Sequence, residues 1–315
     1  MSINYSVDSL LASVKVRSMN ASNQNTFTDD DMIRIASEEL QSVLIPFIES
    51  VKGEYWVHLQ DLPYIQGQNS YIMPERATGS KLRDVCLVDM QGNEVLLNYI
   101  NIEDLKSSWA YAPYQFGFYP QDNQIKLLLG NLIGSANYQF VRMKYFRRPN
   151  TLINTDQAGK VMNIDTVTKE VTLNYAPTTW TTATLFDCIN SMPPFQSRVD
   201  NQTITGLAGF ILTFSTIPSG LSIGDWVSEA NLSPIPQIPV EAHRLLEILT
   251  AARILQYSGD PSFTVFQAEA EQAKRDLIQV ISPRVDGSPR KIPIRNRLWG
   301  PWGILLALVP SLLTF

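Results

Sequence analysis

The spacing of apolar residues changes twice along the chain, and this change constrains the fold more than any other feature of the sequence. Near both ends, apolar side chains recur at steps of three and four residues, the pattern of a helix with one buried face. Between about residues 54 and 236, short segments rich in β-branched and aromatic residues alternate with turn-forming residues, which favours strands. The sequence therefore predicts an α+β protein in which antiparallel β modules are inserted into a helical frame.

The N-terminal helical segment, residues 1–53, centres on a helix that begins after Thr28. The three acids 29–31 favour a helix start because they complement the positive end of the helix dipole. A cation site at these acids is the alternative, which the dipole explanation makes unnecessary. Pro46 predicts a kink or break near Ile45, and Gly53 ends the helix. A shorter helix, around residues 6–16, is expected to precede it.

The β-rich middle divides near Pro149 into a first module, residues 54–150, and a second module, residues 151–236. Strands of the first module are predicted at residues 55–59, 70–73, 83–88, 124–129 and 138–146. In the second module, residues 159–165 and 170–173 flank a polar turn and predict a hairpin. Residues 210–214 and 225–228 are predicted to complete that module.

A Pro-rich stretch, residues 234–239, introduces the C-terminal helical segment, residues 237–283. Helical spacing runs from about residue 240 to 257 and resumes after Gly259-Asp260-Pro261, a stop and start signal. The two helices therefore predict an αα-hairpin that packs on the N-terminal helix. The helical core is predicted to contain Ile33, Leu40, Phe47, Leu249, Phe266 and Leu277.

The scarcity of histidine and cysteine removes most familiar catalytic and metal chemistries. The chain has 2 His and 2 Cys, with no paired spacing that would form a zinc site. His58 and His243 have no nucleophile or second ligand nearby in sequence, so a structural role is expected for both. Because the first residues lack the pattern of a secretion signal, Cys86 and Cys188 are expected to be buried free thiols in a reducing compartment. We expect no enzyme activity, no cofactor and no metal.

An aromatic group in the first module has two interpretations. A cluster of aromatic residues suits a sugar-binding surface, but a β core or a subunit interface has the same composition, and we favour that second interpretation. The group consists of Trp109, Tyr111, Tyr114, Phe116, Phe118 and Tyr119.

The last segment, residues 284–315, differs from the rest of the chain in charge. It carries five basic residues against Asp286 alone, a local net of +4, which leaves −9 on the rest of a chain whose total is −5. An uncharged run from Ile304 to Phe315 follows two tryptophans. A membrane tail anchor is one interpretation, but a spanning helix needs about 20 apolar residues, and this run is shorter and contains Pro310. We favour an extended tail that docks on another subunit through Arg284, Arg290, Lys291, Arg295, Arg297, Trp299 and Trp302.

Two segments resemble the head-to-tail adaptor (connector) proteins of tailed bacteriophages. The helix opening Phe27-Thr28-Asp29-Asp30-Asp31-Met32-Ile33, continued by residues 36–41, resembles the N-terminal helix of that family. Residues 281–292, which close the helical hairpin, also resemble virion structural proteins of this type. The order of helix, β insertion, helical hairpin and basic tail is similar to that architecture along nearly the whole chain, although the apolar end is longer than expected.

The resemblance implies a structural virion protein without enzyme activity. Such adaptors form a homo-oligomeric ring, commonly of twelve copies, that joins the capsid portal to tail or nozzle proteins. The ring would lie at the head–tail junction of the virion, after assembly in the bacterial host cytoplasm. Double-stranded DNA would pass through its channel non-specifically, and the C-terminal tail would dock on the portal protein, with no membrane involved. The alternative class is a tail-anchored membrane or envelope-associated protein.

Overall fold

The computed structural model describes residues 5–18, 26–103, 117–129 and 138–282. Within these ranges the chain forms five α-helices and seventeen β-strands, with antiparallel pairing predominant, so the predicted α+β class is confirmed. The helices are α1 (Val7–Ser18), α2 (Asp29–Glu39), α3 (Ile45–Val51), α4 (His243–Tyr257) and α5 (Phe263–Ile281).

The helix after Thr28 begins with a capping box. The Asp31 N–H donates to Thr28 Oγ1, and the Thr28 N–H donates back to the Asp31 carboxylate at 3.1 Å. Instead of a sharp break before Pro46, a π-helical turn, Leu40–Leu44, joins α2 to α3, and the Ile45 N–H donates to the Leu40 carbonyl. Because proline has no N–H, the regular pattern of α-helical hydrogen bonds cannot continue through Pro46, and the chain forms a wider π-helical turn before it.

The helical frame buries one continuous core. Helix α4 packs against α1, α2 and α5, and a short 3₁₀ turn, Val240–Ala242, leads into it. Of the predicted core residues, Ile33, Leu40, Leu249 and Leu277 are buried, while Phe47 and Phe266 are half-buried against the same core. An ion pair between Arg253 Nε and Glu39 Oε1, at 2.6 Å, ties α4 to α2.

The first β module is a sandwich of two four-stranded sheets. One sheet has the order β1-β8-β3-β4 and the other β2-β7-β6-β5. Their facing side chains form a separate core that includes Val85, Val141, Met143 and Ile125. All strand pairs are antiparallel except β5 with β6. The strands are β1 (Val57–Pro63), β2 (Ser70–Ile72), β3 (Ala77–Asp89), β4 (Glu94–Leu96), β5 (Asn98–Tyr99), β6 (Gly117–Gln121), β7 (Gln124–Leu128) and β8 (Tyr138–Arg147).

The second β module has its own core and one seven-stranded antiparallel sheet, ordered β13-β12-β16-β10-β11-β15-β14. Its two end strands are consecutive in the chain and separated by Thr203 alone, so the sheet curls around the core. The predicted hairpin is present, with Val161 opposite Leu173. The strands are β9 (Thr151–Leu152), β10 (Gly159–Asp165), β11 (Glu170–Leu173), β12 (Phe186–Ile189), β13 (Ser197–Gln202), β14 (Ile204–Ala208), β15 (Ile211–Phe214), β16 (Trp226–Glu229) and β17 (Leu232–Ser233).

A short parallel pair, β9 with β17, lies outside both β cores. It holds the entry and exit of the second module side by side, and the Ser37 hydroxyl of α2 accepts a hydrogen bond from the Leu152 N–H. The helical frame and both β modules thus belong to one compact unit that ends at Ser282.

Candidate functional site

Four charged side chains meet where the first β module, the second β module and the helical frame converge; we call this group the buried joint. Arg76, which precedes β3, donates two hydrogen bonds to the Asp187 carboxylate of β12, at 2.7 and 2.8 Å. Arg147, at the end of β8, contacts Asp200 of β13 at 2.7 Å, and Arg76 also contacts Asp200, at 3.1 Å. Two arginines and two aspartates therefore balance in charge across the boundary between the modules.

Amide and hydroxyl groups complete the buried joint and connect it to the frame. The Asn150 side chain donates to Asp187 Oδ2 at 2.7 Å, and its backbone N–H donates to Gln237 Oε1 at 2.9 Å. The Gln237 side-chain amide donates to the Ser197 hydroxyl, and the Gln237 backbone carbonyl accepts from the indole N–H of Trp56. Since Gln237 lies in the Pro-rich stretch before α4, this one side chain links both modules to the helical frame.

Burial controls the electrostatics of the joint. Asp187 is fully buried, and Arg76 and Arg147 are nearly so. Burial lowers the pKa of Arg147, and the nearby Asp200 carboxylate opposes that shift. An arginine titrates far above neutral pH, so both guanidinium groups stay charged. Charges held this far from water are tolerated because each one has a paired, hydrogen-bonded counter-charge.

His58 lies at the rim of the joint. Its Nε2 is 3.9 Å from Asp200 Oδ2, and its ring meets Tyr145 edge to face at 5.8 Å. Burial lowers the pKa of His58, Arg147 lowers it further, and Asp200 opposes both. The contact with Tyr145 gives His58 a packing role at this rim.

His243 belongs to a different environment, an aromatic cluster at the start of α4. Its ring lies 4.8 Å from that of Tyr5 and 5.4 Å from that of Phe195. Burial lowers the pKa of His243 to about 4. The side chain is therefore neutral at physiological pH, and its role is structural.

The two cysteines are buried free thiols, as the sequence predicts. Burial raises the pKa of Cys188 to about 12 and also raises the pKa of Cys86, so neither thiol forms a reactive thiolate near neutral pH.

Two of the three acids at the start of α2 contact neighbouring side chains. Asp31 forms the capping box, and Asp29 pairs with Lys15 of α1 at 2.6 Å. Across the ranges that the structure describes, no group of three or more His, Cys, Asp and Glu residues has the arrangement of a metal site. Nor does any helix in those ranges have the length and hydrophobicity to cross a membrane.

The predicted docking residues lie outside the described residues, since all seven fall after Ser282. Of the aromatic group, Trp109, Tyr111, Tyr114 and Phe116 also lie outside them, whereas Phe118 is buried in the first β core. The buried joint was not predicted. Its members are far apart in the chain, 111 residues in the case of Arg76 and Asp187, so no local spacing marks them.

Comparison of the chain with protein-family models and with curated proteins finds no match. The functional interpretation therefore depends on the geometry of the molecule and on the resemblance noted in the sequence.

Proposed function

We propose that this chain is the subunit of a head-to-tail adaptor ring of a tailed bacteriophage, a structural virion protein without enzyme activity. The observation that carries the proposal is the buried joint, which fixes both β modules to the helical frame through paired charges and amides. Ionisable groups gathered at a module boundary often serve catalysis, but here the two arginines and two aspartates of the joint are paired with one another. The arrangement suits a rigid building block.

Exposed apolar side chains on both β modules supply surfaces for contacts between subunits. Met90 and Tyr99 of the first module and Met192 and Ile223 of the second are each more than half exposed. Methionine and aromatic residues are enriched in the centres of protein interfaces. The low charged fraction of the chain, 17% against a typical value of about 25%, agrees with surfaces that are covered in an assembly.

The charge distribution suggests how such a ring handles DNA and its partners. A body with a net charge of −9 would repel the DNA backbone, so DNA would slide through the channel without binding. The basic tail, with Arg284, Arg290, Lys291, Arg295 and Arg297, would seek an acidic cleft on the portal protein, and Trp299 and Trp302 would anchor it. In this proposal the protein resides at the head–tail junction, between the portal and the tail or nozzle proteins.

The test is electron microscopy and native mass spectrometry of the full chain, alone and with the portal protein of the same phage. We expect closed rings of one copy number and a complex with the portal. A chain that stays monomeric alone and does not bind the portal would contradict the proposal.

The docking role of the tail is tested by charge reversal. Arg290→Glu with Lys291→Glu should abolish portal binding and leave circular dichroism unchanged, and truncation after Pro289 should do the same. The matched control reverses two exposed charges elsewhere, Arg34→Glu with Lys169→Glu, and should leave portal binding intact.

A further inference from the structure

A cleft of about 660 Å³ opens beside the buried joint, between the two β modules. One wall comes from β1 and β2 of the first module, and the other from β13 of the second. Apolar side chains contribute much of the lining, namely Leu59, Leu62, Ile72, Met73, Tyr145 and Val199. Leu59 and Ile72 are 51% and 63% exposed, which is unusual for apolar residues in strands of a closed sandwich.

The strands on the first wall are the end strands of their sheets, β1 of one and β2 of the other. The Arg147 N–H donates to the Trp56 carbonyl and the Tyr64 N–H donates to the Gln139 carbonyl. These two bonds show which residues of β1 form hydrogen-bonded pairs with β8. Even-numbered residues of β1 therefore bond to β8, and Leu59 and Asp61 direct their backbone groups away from it. No described residue bonds to the N–H of either one.

The same reasoning applies to β2. The Met73 N–H donates to the Asn123 carbonyl and the Leu127 N–H donates to the Asn69 carbonyl, so these positions face β7. Ile72 therefore directs its N–H and carbonyl outward, and among the described residues its N–H has no partner. The cleft thus combines two unpaired strand edges with exposed apolar side chains, the features by which proteins accept an added strand.

The edge of β1 has little of the protection that natural end strands carry. It contains no lysine, its one Asp or Glu side chain, Asp61, is paired with Arg142, and its proline, Pro63, is the last residue of the strand. Most charged side chains that line the cleft are already paired: Arg76 contacts Asp187 and Asp200, and Arg198 contacts Asp225, while the exposed Glu75 has no ion pair among the described residues. An uncharged, apolar strand suits this cleft better than a charged one.

We propose that the cleft accepts residues 304–309 of a second copy of this chain as an added strand on β1. This segment, Ile-Leu-Leu-Ala-Leu-Val, is uncharged and lies between Gly303 and Pro310. The preceding residues 283–303 can span up to about 70 Å when extended, enough to reach a neighbouring molecule. A strand passed from each copy to the next is a head-to-tail contact of the kind that closes into rings. The inference rests on the proposed ring and names one contact that holds it together.

Two complementary variants test this contact. A chain that ends at Gly303 keeps the cleft and lacks the donor strand, whereas Leu59→Lys with Ile72→Lys keeps the donor strand and blocks the cleft. Each alone should be monomeric by size-exclusion chromatography with light scattering, and an equimolar mixture should give a one-to-one heterodimer. Val265→Lys, at an exposed position of α5 outside both β modules and outside the cleft, is the matched control and should assemble as the unmodified chain does.

A peptide of residues 303–310 provides a second measurement that does not depend on folding of the blocked variant. Bound to the chain that ends at Gly303, it should protect the amides of Leu59 and Asp61 from hydrogen exchange at least tenfold. Normal assembly of that shortened chain, or a peptide that leaves both amides unprotected, would overturn the inference. So would a monomeric full-length chain with both amides protected, since its own tail would then fill the cleft.

The adaptor proposal is judged separately by portal binding. If the chain that ends at Gly303 still forms rings with the portal, the added strand is refuted and the adaptor role stands. If the heterodimer forms but the full chain gives neither rings nor a portal complex, the strand contact stands and the adaptor role is refuted.

Discussion

Replacement of Asp187 by asparagine is the sharpest test of the buried joint. The carboxylate accepts two hydrogen bonds from Arg76, one from the Asn150 side chain, and one each from the backbone N–H groups of Asn201 and Asn231. Asparagine has nearly the same shape, but it is neutral and replaces one acceptor oxygen by a donor. Asp187→Asn therefore removes the charge and sets an N–H₂ group against donors that already point at it.

The expected cost follows from burial. Breaking a buried ion pair by removing one partner costs about 3–5 kcal/mol, because an uncompensated charge remains. Arg76 keeps its contact with Asp200 at 3.1 Å, so we expect the lower part of that range, about 3 kcal/mol. Asp61→Asn is the matched control, since Asp61 also binds an arginine, Arg142, through two bonds of 2.7 Å. That pair lies on the exposed face of the first module, where the loss should be about 1 kcal/mol or less.

Urea denaturation followed by circular dichroism and tryptophan fluorescence measures both variants. We expect a lower midpoint for Asp187→Asn and a near-normal midpoint for Asp61→Asn. The double variant Arg76→Met with Asp187→Asn should recover part of the loss, because the buried guanidinium that lost its counter-charge is then absent and the asparagine oxygen can still accept a hydrogen bond. Equal losses for the two asparagine variants would refute the reasoning, since burial would then make no difference.

Three further predictions concern other parts of the fold. Because the pKa of His243 is depressed in the folded chain, the unfolded chain binds a proton between about pH 6.5 and pH 4 that the folded chain does not. The free energy of unfolding should therefore fall by about 2–3 kcal/mol as the pH drops through this window. His243→Gln should flatten that pH dependence, as measured by urea denaturation at each pH. Gly159→Ala would place a Cβ 2.5 Å from the Tyr175 carbonyl oxygen and should lower the free energy of unfolding by about 1–3 kcal/mol, measured by urea denaturation. In the control Gly53→Ala, the nearest atom to the new Cβ would be the Glu49 carbonyl oxygen at 3.5 Å, so little effect is expected. Thr28→Ala removes the capping hydroxyl of α2 and should cost about 1 kcal/mol in thermal or urea unfolding.

The sequence reveals the helices and the hairpin of the second module because their patterns are local. Helical spacing and the Gly259 turn place α4 and α5 to within a few residues, and alternating residues on both sides of a polar turn place β10 and β11. In contrast, strands β12, β13 and β14 lie within residues 174–208, where proline, threonine and asparagine interrupt any alternation. Those strands exist because the core of the second module and the buried joint supply their contacts, which come from distant parts of the chain.

The two β modules meet through paired charges, and this bears on the proposed role. Apolar residues of the same volume would often give equal or greater stability, so paired charges are better understood as a device that selects one geometry. Two β modules that met through apolar faces alone could slide against each other, whereas the doubly bonded Arg76 and Asp187 pair fits only one relative orientation. In a ring of many copies, any angular error within the subunit is repeated in every copy and decides whether the ring closes. A joint that fixes orientation at a cost in stability would therefore suit the ring subunit that we propose.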